Sequence, residues 1–573
     1  MPTSTIFFQF PPSLSPAALV QQARAPSRPA VHLILRLALA FLLTSVISAF
    51  AQDPARMDAA VNVHAASGRF MGSVLVAKDG VVVFEKSSGS ANLEWDVPNA
   101  PDTKFRIGSL TKQFTAAAIL LLEERGKLKV EDPITPLIPS APVSWNAVTI
   151  HQLLNHTSGI PDFSNLPEQR VRQRSPTTPE QIMRTFRDLP LEFEPGEKFK
   201  YSNSGYILLA FIIERVSGQS YEAFLRENIF VPLAMKDSGY DSNTTLLPKR
   251  AAGYLSGPGG LAHAPYVDMH HPYGAGGLYS TTQDLLRWTT ALFGGRVLSA
   301  TALQKVITPG RNDNAYGLVV GAVQGRKLIR HGGMIEGFSS HLSYDPESKL
   351  TVIVLANVYG ASAAELSNQL GAIARGEKVT LPSDRQAVEV PAATLRRYVG
   401  VYQLTPQITN TVRLAAGQLT TQLSGQPALP LFPESDRKFF LNVVDAQVEF
   451  VTDDQGRVNS LIQRQGGRTL QAPRVSDTVV ERTAIALPPA ILASYVGRYE
   501  LKPGIDLDIT LEGDRLMSQL TGQAKVASFP ETETRFFLKV VDAQLEFFKD
   551  AQGAVSHVML RQGAENIKGS RQP

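Results

Sequence analysis

The chain has no cysteine among its 573 residues. This excludes disulfides, thiolate metal sites, a cysteine nucleophile and a lipid-modified N-terminal cysteine. Stability must therefore come from hydrophobic cores. A charge excess is missing as well, since 56 basic residues stand against 52 acidic ones, for a net charge of +4. Three of the arginines, Arg24, Arg28 and Arg36, fall in the first 51 residues, which contain no acidic residue. Without them the balance drops to +1, and a near-neutral chain gives no electrostatic case for nucleic acid. The same stretch lacks an apolar run long enough for a comfortable membrane span, because Arg36 interrupts it. A basic front, an apolar core from Leu37 to Ser48 and the small-x-small end Ala49-Phe50-Ala51 form the layout of a cleaved signal peptide over residues 1–51. This predicts a periplasmic or secreted protein, with an uncleaved membrane anchor as the alternative.

The C-terminal part contains a duplication. "YVGVYQL" at Tyr398 returns as "YVGRYEL" at Tyr495, and "VVDAQVEF" at Val443 returns as "VVDAQLEF" at Val540. Both pairs are offset by 97 residues, as are "QLSGQ" at Gln422 and "QLTGQ" at Gln519. Each copy alternates β-rich runs such as "KFFLNVV" with turn formers such as "DDQG". Two copies are too few for a solenoid, so each is expected to be a small all-β barrel or sandwich. The predicted organisation is a domain over 52–376, a linker over 377–390, a first module over 391–472, a second linker over 473–488 and a second module over 489–573.

In the first domain, "GSVLVAKDGVVVFEKSSG" reads as a hairpin turning at Asp79-Gly80, and "FSSHLSYDPESKLTVIVLAN" as another turning near Pro346. An amphipathic helix is expected over Ala361–Ala374. A largely helical middle separates these sheet-forming ends, which makes the class α+β.

"RIGSLTKQFTAAAILLLEERGKL" begins a helix that is apolar all round, hence buried, and that can stop at Gly126 in a left-handed cap. Ser109 lies at its start and Lys112 one turn later. On structural grounds alone, Ser109 could cap the helix and Lys112 could reach solvent. The spacing by itself means little, because Ser435 and Lys438 repeat it in the first module. The chemical reading is that a partly desolvated lysine has a lowered pKa and can take a proton from a serine hydroxyl, which is otherwise a poor nucleophile. Two further segments can complete such a site. Tyr201-Ser202-Asn203 precedes a second apolar helix, where the phenol can relay protons and the amide can hold a carbonyl. His331-Gly332-Gly333 sits at a strand edge, where glycine permits close backbone approach.

These segments resemble the serine β-lactamase and penicillin-binding-protein-like superfamily, on its class C, D,D-peptidase, D-aminopeptidase and esterase side. Ser109-Leu110-Thr111-Lys112 is similar to the Ser-x-x-Lys motif, Tyr201-Ser202-Asn203 to Tyr-x-Asn, and His331-Gly332-Gly333 to the His-x-Gly variant of the third motif. "LLNHTSGIPDF" from Leu153 and "GAGGLYSTTQDLLRW" from Gly274 add matching flanks. The resemblance implies a β-lactamase/transpeptidase-like fold over about Ala55–Ile373. It implies an acyl-enzyme on Ser109, proton transfer by Lys112 and Tyr201, an oxyanion hole from the N–H groups of Ser109 and Met334, and substrate orientation by Asn203, His331 and Gly333. Neither cofactor nor metal is called for.

The third motif departs from the β-lactamase pattern, since a neutral histidine replaces lysine, and no class A deacylation glutamate motif is found. The expected activity is cleavage of a small peptide, amide or ester, with a D-residue as one option and association with the cell wall as a compatible setting. A β-lactamase and a silent binder of cell-wall peptides are the alternatives. "HAPYVDMHH", with His263, Asp268, His270 and His271, is read as a loop near the cleft, not a metal site. His156 is read as a structural loop residue.

Overall fold

In a computed structural model the chain is described over residues 53–572, apart from positions 167, 258–259, 324, 361, 406–407, 425, 427, 443–445, 466–467, 480–481, 503, 522–524, 540–541 and 563–564. The expected leader, residues 1–51, lies outside the described residues. Among the described residues no helix is long and apolar enough to cross a membrane.

Strands β1 (Gly72–Lys78), β2 (Val81–Ser88), β3 (Val319–Val323), β4 (Arg326–Ile335), β5 (Phe338–Asp345) and β6 (Leu350–Ala356) form one sheet in the order β3-β4-β5-β6-β1-β2, every pair antiparallel. Both ends of the domain therefore contribute to the sheet. The first hairpin turns at Asp79 and Gly80, whose φ angles are 51° and 78°. Positive φ at both positions matches the twist of the flanking strands.

The five main helices are α1 (Pro54–Ala66), α2 (Thr111–Glu124), α3 (Asn203–Ser217), α4 (Thr282–Phe293) and α5 (Ser362–Ala374). Strands β1 and β6 read as continuous apolar runs because both of their faces are covered. Val74, Val76, Val352 and Val354 pack with Met57 and Val61 of α1 and Leu366 and Leu370 of α5. Their neighbours Leu75, Ala77, Ile353 and Leu355 turn the other way, into a larger core that holds α2, α3 and Trp288 of α4. Helix α2 stops as the sequence predicts: Gly126 takes φ 65°, the Gly126 N–H donates to Glu123 O at 2.9 Å and the Lys127 N–H to Leu122 O at 3.0 Å.

Each C-terminal module closes into an eight-stranded antiparallel barrel, one running from Gly400–Thr405 to Arg468–Ser476 and the other from Gly497–Lys502 to Glu565–Arg571. The repeated "YVGxY" has a definite mechanical role. The Tyr402 hydroxyl donates to Tyr398 O at 2.8 Å, and Tyr499 to Tyr495 O at 2.8 Å. Arg474 and Arg571, on the closing strands, donate to Val399 O and Val496 O across the glycine. A Cβ on Gly400 would stand 2.7 Å from Arg474 Nε, and one on Gly497 3.0 Å from Arg571 Nε, so a side chain at either glycine would push the crossing arginine aside. The stretches read as linkers also contact the barrels. The Val388 N–H donates to Pro433 O and the Ile485 N–H to Pro530 O, each at 2.9 Å and 97 positions apart. The first barrel's last strand runs through Pro473 to Ser476.

Arg474→Ala and Arg571→Ala should each destabilise their own barrel by about 1.5–3 kcal/mol, the usual worth of a hydrogen bond to a charged group. Hydrogen exchange resolved by module would show protection lost in one barrel and kept in the other.

Candidate active site

Ser109 lies in a single 3-10 turn, Gly108–Leu110, that leads directly into α2. The cap position of α2 is taken by Leu110, not Ser109, and makes no side-chain cap bond. The Ser109 Oγ accepts from Lys112 Nζ at 3.0 Å and from the Tyr201 hydroxyl at 2.9 Å. Lys112 does not reach solvent, being 0% exposed. Its amine donates to Asn203 Oδ1 at 2.8 Å and to Ala275 O at 2.7 Å, and it sits 4.9 Å from the centre of the Tyr201 ring. The same four-residue spacing at Ser435 and Lys438 produces only a turn, in which the Lys438 N–H donates to Ser435 Oγ at 3.1 Å. Surroundings, not spacing, distinguish the two pairs.

Two of the three partners of the Lys112 amine are carbonyl oxygens, which can only accept. They orient two N–H bonds and leave the remaining tetrahedral position pointing at Ser109. That position is an N–H when the amine is charged and a lone pair when it is neutral. Burial lowers the Lys112 pKa to about 7, against an opposing pull from the charge of Asp162. Burial also raises the Tyr201 phenol above its usual value, with the bond to Ser109 acting the other way. Near neutrality the lysine is thus poised to lose its proton while the tyrosine keeps its own.

Asn203 is the first residue of α3 and is itself held in place. Its Nδ2 donates to Asp162 Oδ2 at 3.3 Å and to Ser164 Oγ at 3.0 Å, and its backbone N–H donates to Asp162 Oδ1 at 3.2 Å. Asp162 is buried, and it fixes which end of the amide faces the lysine. His156 supports the tyrosine: its ring lies 4.4 Å from the Tyr201 ring, and its Nδ1 accepts from the Ser202 N–H at 3.2 Å. Burial, reinforced by the Lys112 charge, pushes its pKa well down, so it is neutral. Sequence reading missed the positions of Asp162, His156 and Ala275 in the site, although all three lie inside the flanks that carried the resemblance.

The third segment approaches from β4. Beyond Arg330, β4 is no longer paired with β3, and its free edge packs against the Ser109 turn. A Cβ on Gly333 would lie 2.0 Å from Ile107 O, and one on Gly108, whose φ is 51°, would lie 2.8 Å from Met334 N. Only glycine allows the two backbones to come this close. Ser109, Asn203 and Met334 line a cavity of about 340 Å³, while Lys112 and Tyr201 reach it through Ser109. His331 is buried, with its Nδ1 donating to Gly332 O at 2.6 Å. Burial, and then the Lys112 charge, lowers its pKa to about 4, so the ring is neutral at pH 7 as the sequence implied.

The histidine-rich segment disperses its side chains. His263 pairs with Glu94, His270 Nδ1 meets Asp268 at 2.9 Å, and His271 meets Gln169 at 3.3 Å while lining the cavity. Among the described residues no three His, Cys, Asp or Glu side chains gather where a metal could be held. A larger hollow of about 970 Å³, bordered by His151, Lys305 and Arg311, contains none of the Ser109 cluster.

Comparison with known proteins agrees with this geometry. The family described as Beta-lactamase matches residues 56–374, and a domain of unknown function (DUF3471) matches 384–473 and again 481–571. A penicillin-binding protein of Bacillus subtilis is 30% identical over 428 residues, which is 70% of this chain and 94% of the relative. The octameric penicillin-binding protein homologue from Pyrococcus abyssi superposes with a TM-score of 0.55 at 28% identity, covering 73% of this chain and all of that one. The D-amino acid amidase from Ochrobactrum anthropi, solved with D-phenylalanine, gives 0.50 at 27% identity, covering 56% and 97% respectively. Fold and relatives define a serine hydrolase of the β-lactamase and penicillin-binding-protein superfamily. The chain belongs to the β-lactamase family, and it carries two copies of the DUF3471 domain behind the catalytic one.

If the neutral amine is the working form, the rate of Ser109 acylation should rise with pH through about 7 and level off above it. Asp162→Asn removes the charge that holds the lysine proton, so the rising limb should move to lower pH. A loosened Asn203 should also cost about 100-fold in rate. Stopped-flow acylation across pH 5 to 9 checks both effects.

Proposed function

We propose that the chain cleaves a small peptide, amide or ester through a covalent acyl-enzyme on Ser109. Neutral Lys112 takes the Ser109 proton as Oγ bonds to the substrate carbonyl carbon. Negative charge moves to the carbonyl oxygen, which the N–H groups of Ser109 and Met334 stabilise across the close Gly108–Met334 contact. As the oxyanion collapses, the bond from the carbonyl carbon to the leaving amine or alcohol breaks, and the leaving group takes a proton from the Tyr201 hydroxyl, whose oxygen is reprotonated by the neighbouring Lys112 ammonium. Water then attacks the ester carbonyl, giving its proton back along the same path, and Ser109 is regenerated. Asn203 keeps the lysine aligned at one end and lines the cavity at the other. His331 and Gly333 set the edge of β4 against which substrate lies.

The observation that carries this reading is the buried lysine, held by two carbonyl acceptors and aimed at a serine. A purely structural role would not explain an amine buried at this desolvation cost with its third position on a hydroxyl. Peptide or amide cleavage is preferred to β-lactam hydrolysis because the third motif supplies neutral His331 where a fixed cation would attract a substrate carboxylate. The similarity to a D-amino acid amidase supports a D-residue beside the scissile bond. Work outside the cytoplasm is supported by the leader-like first 51 residues.

Ser109→Ala should abolish the covalent adduct formed by a fluorophosphonate probe, as read by intact-protein mass spectrometry. Lys112→Ala and Tyr201→Phe should each slow turnover by about 100-fold to 10,000-fold. The double variant should be little worse than the poorer single one, because both act on one proton path. A full adduct on Ser109→Ala would move the nucleophile elsewhere.

A further inference from the structure

The cavity beside Ser109 has a one-sided charge. Among the described residues that line it, none is a lysine or arginine, and a single carboxylate, that of Glu336, faces it. His271 on the same wall has its pKa lowered by burial and is neutral. Among the described lining residues a substrate carboxylate therefore meets neither lysine nor arginine, whereas a positively charged group meets a carboxylate.

Glu336 is held in a defined position. It occupies the turn between β4 and β5, where Ile335 pairs with Phe338, two residues beyond the Met334 amide that faces the Ser109 turn. Gly337 in that turn takes φ 80°, and a Cβ there would lie 2.5 Å from Gly253 Cα, so neighbouring backbone clamps the turn. Across the cavity, Gln173 Nε2 donates to Glu336 Oε1 at 2.7 Å, and the Gln173 carbonyl accepts the Asp268 N–H at 2.8 Å. Gln173 fixes the carboxylate without neutralising it, since an amide carries no charge. Among the described residues its side-chain hydrogen bond comes from Gln173, a neutral amide, and not from a lysine, arginine or histidine. An anion fixed on a clamped turn, in a small cavity and held by a neutral amide, is arranged to receive a counter-ion from a ligand.

We infer that Glu336 is the specificity-determining residue of this site, taking the free ammonium group of a peptide or amide substrate whose scissile carbonyl lies at Ser109. The inference rests on the hydrolase reading above and narrows it to substrates with an unblocked amine near the bond that is cut. Terminal carboxylates are disfavoured for the same reason. Gln173 acts as a positioning residue for the carboxylate and does not touch the reacting atoms.

The full chain would be given D-alanine p-nitroanilide and its N-acetyl counterpart, with p-nitrophenyl acetate as a probe that carries no amine. Wild type should favour the free amine by about tenfold or more in kcat/KM. Glu336→Gln should lower that ratio by about 10-fold to 100-fold, the usual worth of a hydrogen bond to a charged group. Glu336→Asp, which keeps the charge, should recover part of it. Thermal unfolding would confirm that both variants fold. If neither anilide is cleaved, D-alaninamide must still inhibit hydrolysis of the acetate ester more strongly than N-acetyl-D-alaninamide does. A wild-type ratio of one or less, an unchanged ratio in folded Glu336→Gln, or equal inhibition by the two amides overturns the inference while leaving the hydrolase reading intact. Failure of wild type to form an acyl group on Ser109 from the acetate ester overturns the hydrolase reading, and this inference with it.

Discussion

The catalytic domain is organised around one amine that has been taken out of water. Lys112 is fully buried, and an uncompensated charge there would cost several kcal/mol. Three bonds, to Ser109, Asn203 and Ala275, hold the amine in place, while burial lowers its pKa to about 7 against the opposing pull of the Asp162 charge. Each acceptor in turn needs a support. Asn203 depends on Asp162, Ala275 on the short helix Tyr273–Gly276, and the Ser109 turn on the close contact with Met334. If any support moves, either the amine loses an acceptor or its free position no longer points at the hydroxyl. Helix α2, apolar on every side, supplies the low-dielectric surroundings that make the arrangement effective.

Much of this was legible in the sequence wherever the governing physics is local. The Asp79-Gly80 turn, the left-handed stop at Gly126 and the 97-residue repeat each depend on neighbours a few positions apart or on plain self-similarity. The helix with no polar face left Lys112 open between a place in solvent and one beside Ser109, and only the folded surroundings decide for burial. Asp162 escaped notice, and His156 was read only as a structural loop residue, because nothing near them in the chain announces that they hold Asn203 and Tyr201, which lie some 40 residues further on. Glu336 and Gln173 are likewise ordinary surface-type residues until folding places them across one cavity. The stretches before each barrel read as linkers because proline and polar residues dominate them. Their single backbone bonds, from Val388 and Ile485, form only once the barrel supplies an acceptor.

The modules have a different relation to the site. Every described residue lining the cavity comes from the catalytic domain, between Gly108 and Tyr359. The surroundings of Ser109 are therefore built from that domain. The barrels spend their polar groups on themselves: the tyrosine hydroxyls, the crossing arginine and the stacked Tyr398–Phe450 and Tyr495–Phe547 rings repeat in both copies.

Closure of these barrels has a consequence for how the chain folds. Two β domains this similar, joined in tandem, risk exchanging strands, since a strand of one copy carries nearly the pattern that the other copy needs. An open sheet would leave such an exchange competitive for as long as its edge stayed free. In each barrel the last strand pairs with the first, and an arginine from that last strand spans the glycine of its own copy. The step that completes a module is thus the step that removes its edges. Whichever copy closes first leaves its sister no strand to borrow, and a cysteine-free tandem can keep its two halves separate without any covalent tie.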